Sequence, residues 1–102
     1  MDSGINRILE SYLKLIRQKY VGIEKAILFG SYARGKSNID SDIDLALIFK
    51  HLDDSERFDI QVQLMLLASE IDSRIEPHPV SYNDFNSGNP FSVEIRKTGI
   101  EI

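Results

Sequence analysis

The sequence contains no cysteine and no tryptophan, and only three prolines among its 102 residues. The absence of cysteine excludes a disulfide framework and a thiolate metal site. No apolar run approaches the roughly 20 residues that a membrane-spanning helix needs, and the first residues lack the basic-then-apolar pattern of a secretory signal. From these absences we expect a cytoplasmic protein that does not act at a membrane.

An excess of positive charge is also missing, because 12 Lys and Arg stand against 16 Asp and Glu, for a net charge of −4. This balance gives no general attraction to nucleic acid, so direct nucleic-acid binding is not expected. A hydrophobic fraction of 42% with 27% charged residues is that of an ordinary globular chain. We expect residues 1–102 to form one domain with one modest core, short for an enzyme that must hold two substrates alone.

The hydrophobic pattern predicts the element order α-β-β-α-β-α-β, a mixed α+β sheet domain. Apolar residues recur at helical spacing over residues 3–20. Short apolar segments at 23–29, 43–49 and 75–80 predict strands. The third segment contains two prolines, which cannot donate to a strand ladder, so this strand should lie at an edge or pair on one side only. Residues 30–42 between the first two strands predict a loop with one helical turn at most.

A second helix is predicted to begin near Asp53 or Asp54, since aspartate is a favoured capping residue. Its predicted apolar face consists of residues at helical spacing: Phe58, Val62, Met65, Leu66 and, one turn on, Ser69. After the third strand we expect a loop over 81–89 and a short helix over 90–97, with Gly99 as its C-terminal cap. The tail, residues 100–102, predicts a last strand.

Two familiar motifs overlap in the first loop, and both fit poorly. Residues 30–37 match the phosphate-binding pattern G-x-x-x-x-G-K-[ST], but that motif needs a helix beginning at its Lys-Ser. Here the next predicted strand begins at Ile43, which leaves no room for the helical crossover of a parallel pair. Asp40, Asp42 and Asp44 resemble the opening of a calcium loop, but Leu45 and His51 replace the glycine and glutamate that this loop requires.

Asp42 and Asp44 instead predict a magnesium site at the start of the second strand. Residues i and i+2 of a strand share a face, so the two carboxylates project together, with Cα atoms about 7 Å apart. Like charges so placed repel each other unless a cation lies between them, and hard oxygen ligands suit Mg²⁺ bound together with substrate phosphates. The preceding Gly30-Ser31 turn can present N–H groups to phosphate oxygens.

Strand alternation strengthens this interpretation. One face of the second strand is apolar throughout, with Ile43, Leu45, Leu47 and Phe49. On the other face the two aspartates precede Ala46 and Ile48. Carboxylates at the end of an otherwise apolar strand face are costly without a partner, although surface aspartates in a polar turn remain the alternative.

Together these residues resemble the nucleotidyltransferase superfamily of DNA polymerase beta, and within it the minimal nucleotidyltransferase (MNT) domain proteins. The pattern of that family is G-S-x-A-R-G, a short spacer, and S-D-x-D-L. Residues 30–35 read G-S-Y-A-R-G and residues 41–45 read S-D-I-D-L. The resemblance covers essentially the whole chain and implies a palm-like α+β fold, with a mixed sheet of three to four strands flanked by helices.

The resemblance also implies how ATP is bound. Gly30 and Ser31 would hold the nucleoside triphosphate, with Ser41 as a further nucleotide contact. Arg34 would contact a phosphate or order the loop, against the alternative of a solvated charge.

The same resemblance implies that Asp42 and Asp44 are catalytic ligands of two Mg²⁺ ions, with a third carboxylate on a later strand. The candidate is Glu76, where the family often has aspartate. Alternation puts Glu76 and His78 on one strand face. Glu76 would ligate a metal or deprotonate the acceptor, with a surface residue on an edge strand as the alternative. His78 would be a second base, a nucleotide contact or a structural residue.

By resemblance to MNT proteins, the expected activity is transfer of AMP from ATP to a tyrosine of a HEPN-domain toxin, with this chain as antitoxin. Two alternatives stay open. One is nucleotidyl transfer to a small hydroxylated molecule such as an aminoglycoside, which a chain this short disfavours unless subunits share a site. The other is a non-catalytic module that neutralises its partner by contact. A homo- or hetero-oligomer is compatible with each of them.

Overall fold

A computed structural model describes residues 3–38 and 40–102, so Ile39 of the predicted loop lies outside the described residues. The elements follow in chain order: α1 (Ser3–Lys19), β1 (Ile23–Phe29), β2 (Ile43–Phe49), α2 (Asp54–Ile71), β3 (Ile75–Ser81), α3 (Tyr82–Phe85), α4 (Pro90–Thr98) and β4 (Ile100–Glu101). The predicted order is confirmed, except that α3 forms where a loop was expected. Ser81 caps this short helix, because its Oγ accepts from the Asp84 N–H at 3.0 Å.

The four strands form one mixed sheet in the order β3-β2-β1-β4. β1 is antiparallel to both β2 and β4, whereas β2 and β3 are parallel and joined through α2. Among the described residues β3 pairs with β2 alone, so the prediction of an edge strand is confirmed. The predicted α+β class is confirmed as well.

Helices cover both faces of the sheet. The larger core joins α1 and α2 to the β2 face that carries Ile43, Leu45, Leu47 and Phe49, as strand alternation predicted. On the other face Ala46 and Ile48 pack with one residue each from β1, β3, α3 and α4: Ile27, Val80, Phe85 and Ile95. This second layer leaves the Asp44 end of β2 partly open.

The predicted apolar face of α2 is wrong. Phe58, Val62, Met65 and Leu66 are 74%, 40%, 50% and 65% exposed, and Ser69 is exposed too. The buried positions are Leu64 and Ala68, which join the core with α1. Apolar residues occur on two sides of this helix at helical spacing. The spacing alone therefore does not show which of the two sides packs against the core.

The start of α4 is built by local sequence. Asn89 caps it by accepting from the Ser92 N–H at 2.9 Å, and Pro90 occupies the first helical position. Gly99 follows the helix as predicted, but with φ −78° its backbone is not left-handed. A side chain there would collide with the Ile95 carbonyl oxygen, so glycine is needed for space.

In the described part of the chain, no helix is long and apolar enough to cross a membrane.

Candidate active site

The parallel pairing of β2 and β3 brings together side chains that are far apart in sequence. The register places Asp44 beside Glu76 and Ala46 beside His78. His78 Nε2 lies 3.4 Å from Asp44 Oδ1. Asp44, Glu76 and His78 each offer one potential ligand atom, and these atoms lie within 4.8 Å of one another. We call these three residues the acidic cluster.

Gly30 lies directly against this cluster. β1 ends at Phe29, whose Cα partner on β2 is Asp44, and Gly30 follows with φ +73°. A Cβ at this position would collide with Asp44 Oδ2. Gly30 is therefore needed both for its left-handed backbone and for the space that the Asp44 carboxylate occupies.

The turn after Gly30 is short and held by its own backbone. The Arg34 N–H donates to the Gly30 carbonyl at 3.2 Å, and the Lys36 N–H donates to the Ser31 carbonyl at 2.9 Å. The described residues that follow Lys36 are not helical before Ile43. Because β1 and β2 are also antiparallel, the phosphate-loop alternative is excluded. The calcium-loop alternative fails too, since its second half is strand β2.

The cluster gathers negative charge. The pKa of Glu76 is raised by burial, by a hydrogen bond with Asp42 and by the charge of Asp44, while His78 acts in the opposite direction. All three predicted carboxylates are thus close enough to influence one another, although Asp42 itself is exposed. Carboxylates crowded in this way favour a bound cation. Their hard oxygen ligands fit Mg²⁺, so the residues present fit the ion that the resemblance implies.

Two predicted nucleotide contacts lie outside this cluster. Ser41 Oγ accepts from the Asn38 N–H at 2.9 Å, and the Ser41 N–H donates to the Asn38 carbonyl at 3.0 Å. Ser41 therefore orders the loop that leads into Asp42. Arg34 is exposed, and over residues 3–38 and 40–102 its side chain makes no hydrogen bond or ion pair. The structure leaves it available at the surface of the turn.

An aromatic contact that was not predicted holds the His78 ring. The centroid of Phe29 lies 5.2 Å from that of His78, and the centroid of Phe91, from the start of α4, lies 6.2 Å from it. The Phe29 and Phe91 rings meet edge-on at 5.4 Å. No spacing rule links residues on β1, β3 and α4, so only the folded chain reveals this group.

Beyond His78, at the β3 edge of the sheet, lies a cavity of ≈ 300 Å³ that we call the edge cleft. Its lining includes Arg57 and Gln61 from α2, Asp84 from α3, and Asn89 and Phe91 at the start of α4. Arg57 forms ion pairs with Asp84 at 2.7 Å and with Asp54 at 2.8 Å. Its Nε is buried without a hydrogen-bond partner among the described residues. The edge cleft thus adjoins the acidic cluster and has one charged pair in its wall.

The family model described as "Polymerase beta, Nucleotidyltransferase" matches residues 11–102. The chain belongs to this family. Two curated relatives from Methanocaldococcus jannaschii, each named "Putative protein adenylyltransferase", are 43% identical over 47 residues and 45% identical over 52 residues. These alignments cover 46% and 50% of this chain, and 46% and 35% of the relatives. The chain thus matches less than half the length of either relative.

Solved nucleotidyltransferase structures have the same fold. A "putative nucleotidyltransferase" from Sulfolobus solfataricus superposes with a TM-score of 0.66 at 19% identity, covering 93% of this chain and 76% of that one. A chain from a toxin–antitoxin structure with AMP-PNP gives 0.62 at 24% identity, covering 90% and 69%. A chain from the complex of tri-AMPylated Shewanella oneidensis HEPN toxin with MNT antitoxin gives 0.57 at 20%, covering 94% and 69%. The palm-like fold that the family resemblance implied is confirmed.

Proposed function

We propose that this nucleotidyltransferase is a Mg²⁺-dependent protein adenylyltransferase. It transfers AMP from ATP to a tyrosine of a HEPN-domain toxin and thereby acts as an antitoxin. The observation that carries the proposal is the acidic cluster of Asp44, Glu76 and His78 directly beside Gly30. The names of the curated relatives and the AMPylated toxin complex among the structural neighbours support the choice of reaction.

ATP is held by the turn after β1. The backbone N–H groups of Gly30 and Ser31 bind triphosphate oxygens, and the Ser31 hydroxyl adds a further donor. Arg34, exposed on the same turn, supplies a positive charge to the β- and γ-phosphates. Ser41 contributes by fixing the loop that carries Asp42 into the site.

Asp42, Asp44 and Glu76 would hold two magnesium ions, which would neutralise phosphate charge and stabilise the attacking and leaving oxygens. The acceptor hydroxyl loses its proton to Glu76, which lies beside Asp44 in the register of the parallel strands. The hydroxyl oxygen then bonds to the α-phosphorus. The bond from the α-phosphorus to the bridging oxygen breaks, and pyrophosphate leaves with the electron pair.

We further propose that residues 1–102 act as one minimal nucleotidyltransferase domain in the cytoplasm, where ATP is supplied. The domain binds the nucleotide, and the partner protein brings the acceptor and forms a hetero-oligomer with it. Nucleic acid is not a direct ligand in this proposal, in keeping with the net charge of −4.

The test is AMP transfer from labelled ATP with Mg²⁺ to a HEPN-domain protein from the same genome, read by intact mass and by tyrosine mapping. Asp42→Asn and Asp44→Asn should abolish the adduct with the fold retained. The matched control is Asp40→Asn, an exposed aspartate of the same loop, which should transfer normally. Tight binding without an adduct would instead indicate a non-catalytic antitoxin, and label only on an aminoglycoside such as kanamycin would indicate a small-molecule acceptor.

A further inference from the structure

The direction from which the acceptor reaches the site follows from the order of the strands, if the proposed function holds. An in-line displacement needs the attacking oxygen and the leaving group on opposite sides of the phosphorus. Gly30 lies on the β1 side of Asp44, whereas Glu76 and His78 lie on its β3 side. With the triphosphate on the Gly30 turn, pyrophosphate leaves toward β1. The acceptor must therefore arrive over the β3 edge, where the edge cleft lies.

The edge cleft has the size and lining for one side chain of an acceptor. Its volume of ≈ 300 Å³ is at the lower limit of small-molecule sites. The rings of His78 and Phe91 form an aromatic wall. The polar part of the lining consists of side chains that already have protein partners: Gln61 with Pro77, Asp84 with Arg57, and Asn89 with Ser92. An aromatic side chain with a hydroxyl matches both parts of this lining. The remainder of the acceptor must lie outside the cleft.

The helix that lines the cleft also carries an unpartnered apolar surface. Arg57 and Gln61 line the cleft from one side of α2. The adjacent side of α2 carries the exposed apolar residues that the sequence pattern had placed in the core. They begin at Phe58 and follow it at four, seven and eight residues. We call them the α2 stripe: Phe58, Val62, Met65 and Leu66. Contiguous exposed apolar groups of this kind mark interaction surfaces, and this one begins beside the cleft.

The charges around the α2 stripe indicate what covers it. Exposed Asp54, Asp59 and Glu70 lie on the same helix. Its single cation, Arg57, is paired with Asp54 and Asp84. Lys19 lies at the far end, where it shares a shallow pocket with Leu66. The rim is therefore mainly acidic. A second copy of this chain would place acidic residues opposite acidic residues, which repel each other. A partner with basic residues around its apolar patch would be attracted to the acidic rim.

We propose that the acceptor is a protein with an apolar, basic-rimmed patch that docks on the α2 stripe and inserts a hydroxyl-bearing aromatic side chain into the edge cleft. This inference rests on the proposed function and adds the docking surface and the entry route to it. The stripe supplies affinity, and the cleft aligns the hydroxyl with the acidic cluster.

The test compares Phe58→Ser and Leu66→Ser with Val21→Ser, which removes a fully exposed apolar side chain elsewhere. The probe is a HEPN-domain protein from the same genome. Its binding is measured by calorimetry without nucleotide, and its modification is measured by steady-state AMP transfer. Each stripe variant should weaken binding and raise KM for the protein acceptor about 10- to 100-fold, the range for losing one buried apolar side chain. The kcat, the KM for ATP and the Val21→Ser protein should stay unchanged.

The cleft and the rim have tests of their own. Phe91→Ala should lower kcat/KM for the protein acceptor at least 10-fold while KM for ATP is unchanged. Asp59→Lys with Glu70→Lys should weaken binding of the wild-type acceptor, and raising the salt concentration should weaken binding to unmodified protein in the same way.

The results separate the two proposals. Equal binding and KM in the stripe variants and the Val21→Ser control would overturn the docking surface while AMP transfer stands. Light scattering that shows a dimer dissociating in the stripe variants would also overturn it, in favour of a second copy. Loss of binding in the stripe variants without AMP transfer by the wild type would support the surface and refute the enzyme activity. Neither binding nor transfer by the wild type would refute both.

Discussion

Replacing Glu76 by glutamine should stabilise the metal-free protein and remove its activity. Glutamine has the same shape and its amide can donate to Asp42, but it carries no charge. Because folding raises the pKa of Glu76 through burial, Asp42 and Asp44, the native state is destabilised by the ionised glutamate above that pKa. Relief of this destabilisation is the expected gain.

The size of the gain follows from the geometry. Two unit charges 4.8 Å apart, the limit of the acidic cluster, repel by about 3.5 kcal/mol at an effective dielectric constant of about 20. Solvent at this partly exposed site and the opposing effect of His78 reduce the value, and we expect about 1 kcal/mol to remain. For a domain of this size that corresponds to a rise in Tm of about 4–8 °C.

The assay is thermal unfolding in EDTA, followed by circular dichroism, at several pH values. The gain should be present above the native pKa of Glu76 and disappear as the pH falls through it, since the protonated glutamate then resembles glutamine. Added Mg²⁺ should raise the Tm of the wild type more than that of the variant. Glu24→Gln, at an exposed glutamate of β1, should show no such pH dependence. An unchanged or lower Tm for Glu76→Gln in EDTA would refute the repulsion argument.

Three other predictions concern the site and the core. Asp44→Asn should reduce the rate of AMP transfer by at least about 10³-fold, so that no adduct is detected, because several kcal/mol of metal-dependent stabilisation are lost. Circular dichroism should remain native, and retained transfer would argue against the site. Gly30→Ala should lower the Tm more than Gly35→Ala. Both variants replace a glycine of positive φ, but only the Cβ at position 30 would collide with Asp44. An equal decrease in Tm for the two variants would contradict the close approach of Gly30 to Asp44. Denaturant unfolding should show that Leu64→Ala, at a buried position, lowers the free energy of unfolding by about 2–5 kcal/mol, whereas Leu66→Ala, at an exposed position, lowers it by under about 0.5 kcal/mol. A larger decrease for Leu66→Ala than for Leu64→Ala would mean that α2 packs on its other face.

The strands, and the strand faces on which Asp44 and Glu76 lie, were predictable because both depend on local rules. Alternation along β2 predicted that Ile43 and Leu45 lie on one face of the strand and Asp44 on the other. In the folded chain Ile43 and Leu45 are in the core, whereas Asp44 belongs to the acidic cluster. The prolines of β3 indicated an edge strand for the same local reason, the absence of donors. Glu76 could be placed on a face in advance, but its partner Asp44 follows only from the parallel register.

The buried face of α2 and the edge cleft were not predictable from spacing. α2 carries apolar residues at helical intervals on two sides, and tertiary contacts with α1 and β3 decide in favour of Leu64 and Ala68. The cleft needs α2, α3 and α4 to meet at one edge, a condition that no local pattern encodes. No motif or spacing in the sequence marks Arg57, and only the fold shows its pairing with Asp84.

The prolines of β3 also determine how the sheet can grow. The Pro77 carbonyl accepts from Gln61 Nε2 at 3.3 Å, so this residue turns its backbone away from β2 and toward α2. Pro77 and Pro79 share that orientation by alternation, and neither has an N–H to offer. At these two positions the outer edge of β3 therefore has no N–H to donate to another strand, which disfavours strand pairing at this edge of the sheet. A protein that approaches this edge is recognised mainly by side chains, because backbone pairing is disfavoured there.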